Sequence, residues 1–257
     1  MLNYICSTSE DKTPLILIHG IAGTSKVFEP QINEFGKQYY VISIDLPGYG
    51  RSSMLENTSI SSYANAVYDF LISHALESPI LLGHSLGGMI VQKIITQHPS
   101  YAKASILVGT SSKFGGNDVL WQKHFINSRL RPLNEGKTLA EISESLINNI
   151  VGPKTEKKII KFASNIMSSI PDKSYRVAIN SLIGFDLKNK LSSISIPTLL
   201  IAGENDNQAP AKIMRRMSEN IKLSQFVVIN ECGHLINIEK PVDFNNALKD
   251  FFIKYNL

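Results

Sequence analysis

The chain has only two cysteines in 257 residues, Cys6 and Cys232. Two thiols make no disulfide framework and point to a reducing compartment. Charge of either sign is in small excess: the net of +4 is too low to argue for a nucleic-acid partner. Long hydrophobic runs are missing, none approaching the roughly 18 to 20 residues a membrane span requires. The N-terminus, Met1-Leu2-Asn3-Tyr4-Ile5-Cys6, lacks the basic and apolar regions of a secretory leader. H-E-x-x-H, C-x-x-C and Walker sequences are absent as well, so no metal, nucleotide or flavin cofactor is expected. The expectation from these absences is a cytoplasmic, soluble protein with no membrane and no nucleic-acid partner.

What is present is a globular composition, 43% apolar and 19% charged, in a chain long enough to bury a large core. Its apolar residues are gathered in short continuous runs. Residues 3–8 form one short strand, then come Leu15–Ile18, Tyr40–Ile44, Ile80–Leu82, Ala104–Val108, Thr198–Ile201 and Phe226–Ile229. Runs without polar alternation belong to strands buried on both faces. Helical spacing lies between them, over 60–76 and again after residue 88 as far as His98-Pro99. The expectation is an α/β fold, a mostly parallel sheet flanked by helices, with its site at the carboxyl ends of the strands.

Between Thr110 and Pro197 no buried strand occurs. A single crossover helix needs far fewer residues. Helical patterns fall at 117–130, 138–151, 155–170 and 173–184, punctuated by Pro132, Gly136, Gly152-Pro153 and Pro171. Residues 111–196 are therefore expected to be a helical cap inserted into a core domain of residues 1–110 and 197–257.

The stretch with chemistry is Gly83-His84-Ser85-Leu86-Gly87-Gly88, between a strand and a helix. A serine there, with glycine two residues to either side, is the nucleophile elbow, whose crowded backbone lifts the hydroxyl clear of the sheet. A serine hydroxyl needs a base. Of six histidines, His234 opens a loop directly after the last strand, in Glu231-Cys232-Gly233-His234. His74 and His98 fall near helix ends, His124 inside a cap helix, and His84 is next to Ser85 in a position that turns its ring away. A carboxylate must then fix the base. Asp206, in Gly203-Glu204-Asn205-Asp206, is the best candidate and Glu204 its competitor. For the oxyanion, the backbone N–H groups of Leu86 and Ile21 are the expected donors. His19 is expected to bond loop backbone.

These residues resemble the α/β-hydrolase fold superfamily, in its branch of small capped serine esterases. His19-Gly20, Asp45-x-Pro47-Gly48-x-Gly50-x-Ser52, the Ser85 hexapeptide, Gly203-x-x-Asp206-x-x-x-Pro210 and Gly233-His234 with Glu239-x-Pro241 carry the likeness. It implies hydrolysis of a small-molecule carboxylic ester through an acyl-enzyme. Lactone or carbon–carbon bond hydrolysis, perhydrolysis, and a hydrolase-like ligand receptor are the rival readings.

Charge separates along the chain. Residues 113–190 hold 13 basic and 7 acidic residues, a net of +6, and the remainder is at −2. Lys154, Lys157, Lys158 and Lys161 follow helical spacing on one face, a solvated face or a dock for an anionic partner. Size and layout also resemble the pimeloyl-[acyl-carrier-protein] methyl ester esterases, and that resemblance would make the partner an acidic acyl carrier protein. Phe114, Trp121 and Phe125 are candidates for an acyl pocket or for cap core.

Overall fold

The inner strands form one sheet because each carries a run of β-branched and leucine side chains too apolar to face water. The computed structural model describes residues 1–257. In chain order the elements are β1 (Tyr4–Cys6), β2 (Pro14–Ile18), α1 (Glu29–Phe35), β3 (Tyr40–Ile44), α2 (Ile60–Ser73), β4 (Ile80–His84) and α3 (Leu86–Gln97). Next come β5 (Ala104–Val108), α4 (Val119–Asn134), α5 (Leu139–Asn148), α6 (Lys157–Ser168) and α7 (Asp172–Ser181). The chain closes with β6 (Thr198–Gly203), α8 (Ala211–Ser218), β7 (Ser224–Ile229), α9 (Ile236–Glu239) and α10 (Pro241–Tyr255).

The sheet order is β1-β3-β2-β4-β5-β6-β7, parallel throughout except for the edge strand β1. The expected strand at 3–8 is thus three residues long and runs antiparallel to β3. The expected helix over 60–76 stops at Ser73, where a capping box at Ser59 and Ser62 fixes its start. Alternate strand residues bury on opposite faces. Ile16, Ile18, Leu81 and Leu200 join α2 and α3 on one face. Leu15, Leu17, Leu82 and Ile106 join the aromatic residues of α10 on the other.

Four helices, α4 to α7, separate β5 from β6, and Leu133, Ile147, Met167 and Ile179 among them share the core of the first face. Asp118 and the Thr138–Glu141 capping box begin α4 and α5. The two ends of this insertion are stitched together. Lys113 and Asp186 form an antiparallel bridge, and the Leu187 N–H donates to the Ser112 carbonyl at 2.7 Å. Two expectations fail here. Pro132 does not end α4, which runs through it to Asn134; proline in the last turn forfeits one ladder bond where carbonyls are already running out of partners. Lys154 lies in a turn before α6, whose N-cap is Glu156, so the four lysines do not share one helical face.

Candidate active site

Four loops at the carboxyl ends of parallel strands meet over the sheet. Ser85 follows β4, Asp206 follows β6, His234 follows β7, and Ile21 follows β2. Ser85 sits at φ 54°, ψ −114°, a left-handed conformation that costs a non-glycine residue about 1–3 kcal/mol. Its surroundings over-determine it. The Ser85 N–H donates to the Val108 carbonyl at 2.8 Å, and its own carbonyl accepts from Thr110 Oγ1 at 2.8 Å and from the Gly88 N–H at 3.0 Å. The flanking glycines answer to close approach: a Cβ on Gly83 would stand 2.2 Å from the Gly87 carbonyl oxygen, and one on Gly87 2.1 Å from that of Ile18.

Ser85 Oγ lies 3.0 Å from His234 Nε2, and His234 Nδ1 lies 2.8 Å from Asp206 Oδ2. The Nδ1–H donates to the carboxylate, leaving Nε2 to accept from the serine hydroxyl. Asp206 is buried, and burial on its own would raise its pKa. The adjacent imidazole and the N–H groups of Ala209 and Gln208 outweigh burial, and its pKa lies below the usual carboxylate value. Those two N–H groups both reach Oδ1, at 3.0 and 2.7 Å. The competitor Glu204 is exposed and turned away, accepting the Glu231 N–H at 2.8 Å.

The Ile21 and Leu86 N–H groups donate no hydrogen bond within the protein. Gly20 brings the first of them close, since a Cβ there would lie 2.9 Å from Ser85 Cβ. His19 does bond backbone: Nδ1 donates to the Gly20 carbonyl at 2.7 Å and Nε2 accepts the Leu46 N–H at 3.0 Å. The buried Cys232 is no rival nucleophile, because burial foremost pushes its thiol pKa far up.

Sequence reasoning assigned no role to three residues that build this site. His84 Nε2 donates to the His234 carbonyl at 2.8 Å, so the residue beside the nucleophile holds the base from behind. Arg129, on α4, donates to Gln208 Oε1 at 2.6 Å. Glu239 accepts four bonds: from the Gly233 and Leu235 N–H groups that flank His234, and from the Gly152 N–H and the Thr155 hydroxyl of the insertion. Only the Glu239-x-Pro241 pattern hinted at the last of these. Their partners lie up to 150 positions away, beyond any local signal.

Of the four lysines, Lys154 pairs with Glu231 and Lys158 with Glu156, while Lys157 and Lys161 make no ion pair. Phe114, Trp121 and Phe125 pack on one another with ring centres 5.2–5.7 Å apart. All three line a cavity of about 710 Å³ that also opens onto Ser85 and His234.

Two buried imidazoles set a pH dependence of stability. Burial foremost depresses His19 to a pKa of about 4 and His84 to about 3, the latter also by repulsion from His234. Both rings are neutral when folded and take a proton near pH 6.5 once unfolded. The unfolded chain therefore binds more protons between pH 6.5 and 4, so stability is full above this window and falls as pH falls through it. Urea unfolding at pH 5 is expected to give a stability lower than at pH 7.5 by about 2 kcal/mol per ring. His84→Gln, which keeps a donor for the His234 carbonyl, should flatten the slope. A wild-type stability independent of pH over this range would refute the assignment.

A family model described as the alpha/beta hydrolase fold matches residues 13–241. Among curated proteins, the chain is 28% identical over 245 residues to 3-oxoadipate enol-lactonase 1 of Acinetobacter baylyi, covering 94% of this chain and 89% of that protein. It is 26% identical over 248 residues to a pimeloyl-[acyl-carrier protein] methyl ester esterase of Legionella pneumophila, covering 94% and 95%. Among solved structures, a thermophilic esterase from Thermogutta terrifontis superposes with a TM-score of 0.86 at 22% identity, over 100% of this chain and 94% of that one. At that identity the likeness is one of fold.

Proposed function

The chain belongs to the alpha/beta hydrolase fold family, and from the site it builds on that fold we propose a serine hydrolase that cleaves a carboxylic ester through an acyl-enzyme. The observation that carries this is the unbroken relay from Asp206 through His234 to Ser85, beside two unengaged N–H groups. Ser85 Oγ attacks the acyl carbon while His234 Nε2 takes its proton. Negative charge gathers on the former carbonyl oxygen, which the Ile21 and Leu86 N–H groups receive. One such donor is worth about 10²–10³ in kcat. The intermediate collapses, and His234 returns the proton to the departing alkoxide. Water then repeats the sequence: its oxygen bonds the acyl carbon as His234 takes its proton, the acyl–oxygen bond to Ser85 breaks as His234 returns that proton to Ser85 Oγ, and the free acid leaves.

A lactone is an internal ester, and the enol-lactonase relative supports that substrate form through the same steps. Docking of an acidic acyl carrier protein finds support in the esterase relatives. With Lys154 and Lys158 already paired, it would fall to Lys157 and Lys161. The test is steady-state hydrolysis of p-nitrophenyl esters from acetate to decanoate, with fluorophosphonate labelling alongside. Turnover together with stoichiometric label on Ser85 is expected. Acylation in a single turnover without steady-state hydrolysis would favour a ligand receptor, and absence of both would refute the reading.

A further inference from the structure

The cavity above Ser85 has mostly apolar walls, but the charged groups on them are nearly all of one sign. Lys113, Arg129, Lys188 and Arg216 line it, against a single carboxylate, Asp118. Two of these five are already spent locally. Lys113 pairs with Asp186 at 2.8 Å, and Asp118 caps α4 by accepting the Trp121 N–H at 2.8 Å. Lys188 and Arg216 are exposed, whereas Arg129 is half-buried.

Arg129 is an unusual wall residue. It makes no ion pair. Its one hydrogen-bond partner is the neutral Gln208, and its guanidinium stands 5.3 Å from the centre of the Phe125 ring. A guanidinium carries five N–H donors, so most are left unused. A cation partly removed from water and given no anion is disfavoured unless a ligand completes it.

Resting on the hydrolase reading above, we infer that the substrate carries a carboxylate remote from the bond that is cleaved, and that Arg129 receives it. Gln208 fixes one side of the planar fork and leaves donors to meet two carboxylate oxygens side by side. Tyr175 lines the same cavity and is close enough for the Arg129 charge to act on it. Burial dominates there, raising the tyrosine to about 12, so its hydroxyl stays protonated and can serve as a second donor. Met89, Met167 and Leu191 offer apolar wall for a methylene chain in the same cavity. The exposed Lys188 and Arg216 give the mouth a positive field that raises the encounter rate of an anion. The substrate class is then a half-ester of a dicarboxylic acid, or a lactone bearing a free carboxylate.

Binding tests this without turnover. Calorimetric titration of the wild-type protein compares the monoamides of glutaric, adipic and pimelic acids with pentanamide, hexanamide and heptanamide. An amide stands in for the ester and is not consumed, and three lengths keep reach from limiting the result. At least one monoamide is expected to bind ten or more times tighter than its neutral counterpart. That preference should shrink with added salt, disappear in Arg129→Gln and survive in part in Arg129→Lys, with unchanged circular dichroism in both variants. Equal binding of charged and neutral amides at all three lengths would overturn the inference, as would a preference that persists in Arg129→Gln. A protein that binds the monoamides yet hydrolyses no ester would instead count against the serine hydrolase reading.

Discussion

Ser85→Ala is expected to lower kcat on any ester the protein turns over by about 10⁵- to 10⁶-fold, the scale seen when a serine nucleophile is removed from a cooperating triad. The structure separates this loss from damage to the fold. Alanine at φ 54° bears the same backbone strain as serine, so the elbow is neither relieved nor further burdened. The bonds that hold the turn, to Val108, Thr110 and Gly88, are all made by main-chain atoms of residue 85. What disappears is one hydrogen bond to His234 at a part-buried position, worth about 0.5–1.5 kcal/mol. The thermal midpoint should therefore move by a few degrees at most while turnover vanishes. Wild-type rates from a pure Ser85→Ala preparation would remove the mechanism altogether.

Asp206→Asn is expected to cost about 10⁴-fold in kcat, a loss that comes through the wrong imidazole tautomer. The reason lies at the carboxylate's other oxygen. Oδ1 accepts two backbone N–H groups, from Gln208 and Ala209. An asparagine must present its own oxygen to those donors, because an amide NH₂ there would meet two N–H groups head-on. Its NH₂ then faces His234 Nδ1 and donates to it. The ring proton is driven to Nε2, where it blocks acceptance of the serine proton. Glu204→Gln serves as the control, since that side chain is exposed and engaged only with the Glu231 N–H. Unchanged activity in Asp206→Asn, or an equal loss in Glu204→Gln, would show that the acid has been misassigned.

The sheet and the relay were legible because their signals are local. Continuous apolar runs mark strands buried on both faces, and the loop after each strand is where function gathers in a parallel sheet. Ser85, Asp206 and His234 each stand in such a loop. The errors came where tertiary contacts override local pattern. Helical spacing extends from Lys161 back to Lys154, but the chain turns at Pro153-Lys154, tied to Glu239 by the Gly152 N–H and the Thr155 hydroxyl, and α6 begins only at Lys157. Pro132 punctuates the sequence without stopping α4, because a proline in the last turn breaks little. The partners of His84 and Arg129, and those of Glu239 in the insertion, are distant in sequence, and no periodicity encodes such pairings.

Glu239 gives the molecule a mechanical property. Its carboxylate grips the peptide on each side of His234 and, through Oε2, the turn that leads into α6. The His234 N–H is itself anchored to the Ile150 carbonyl at 2.7 Å. Any outward swing of the insertion at this end would pull the base off the nucleophile. At this edge the insertion and the loop that carries the base are tied into one unit. Through this one carboxylate, the setting of the base depends on where the insertion lies.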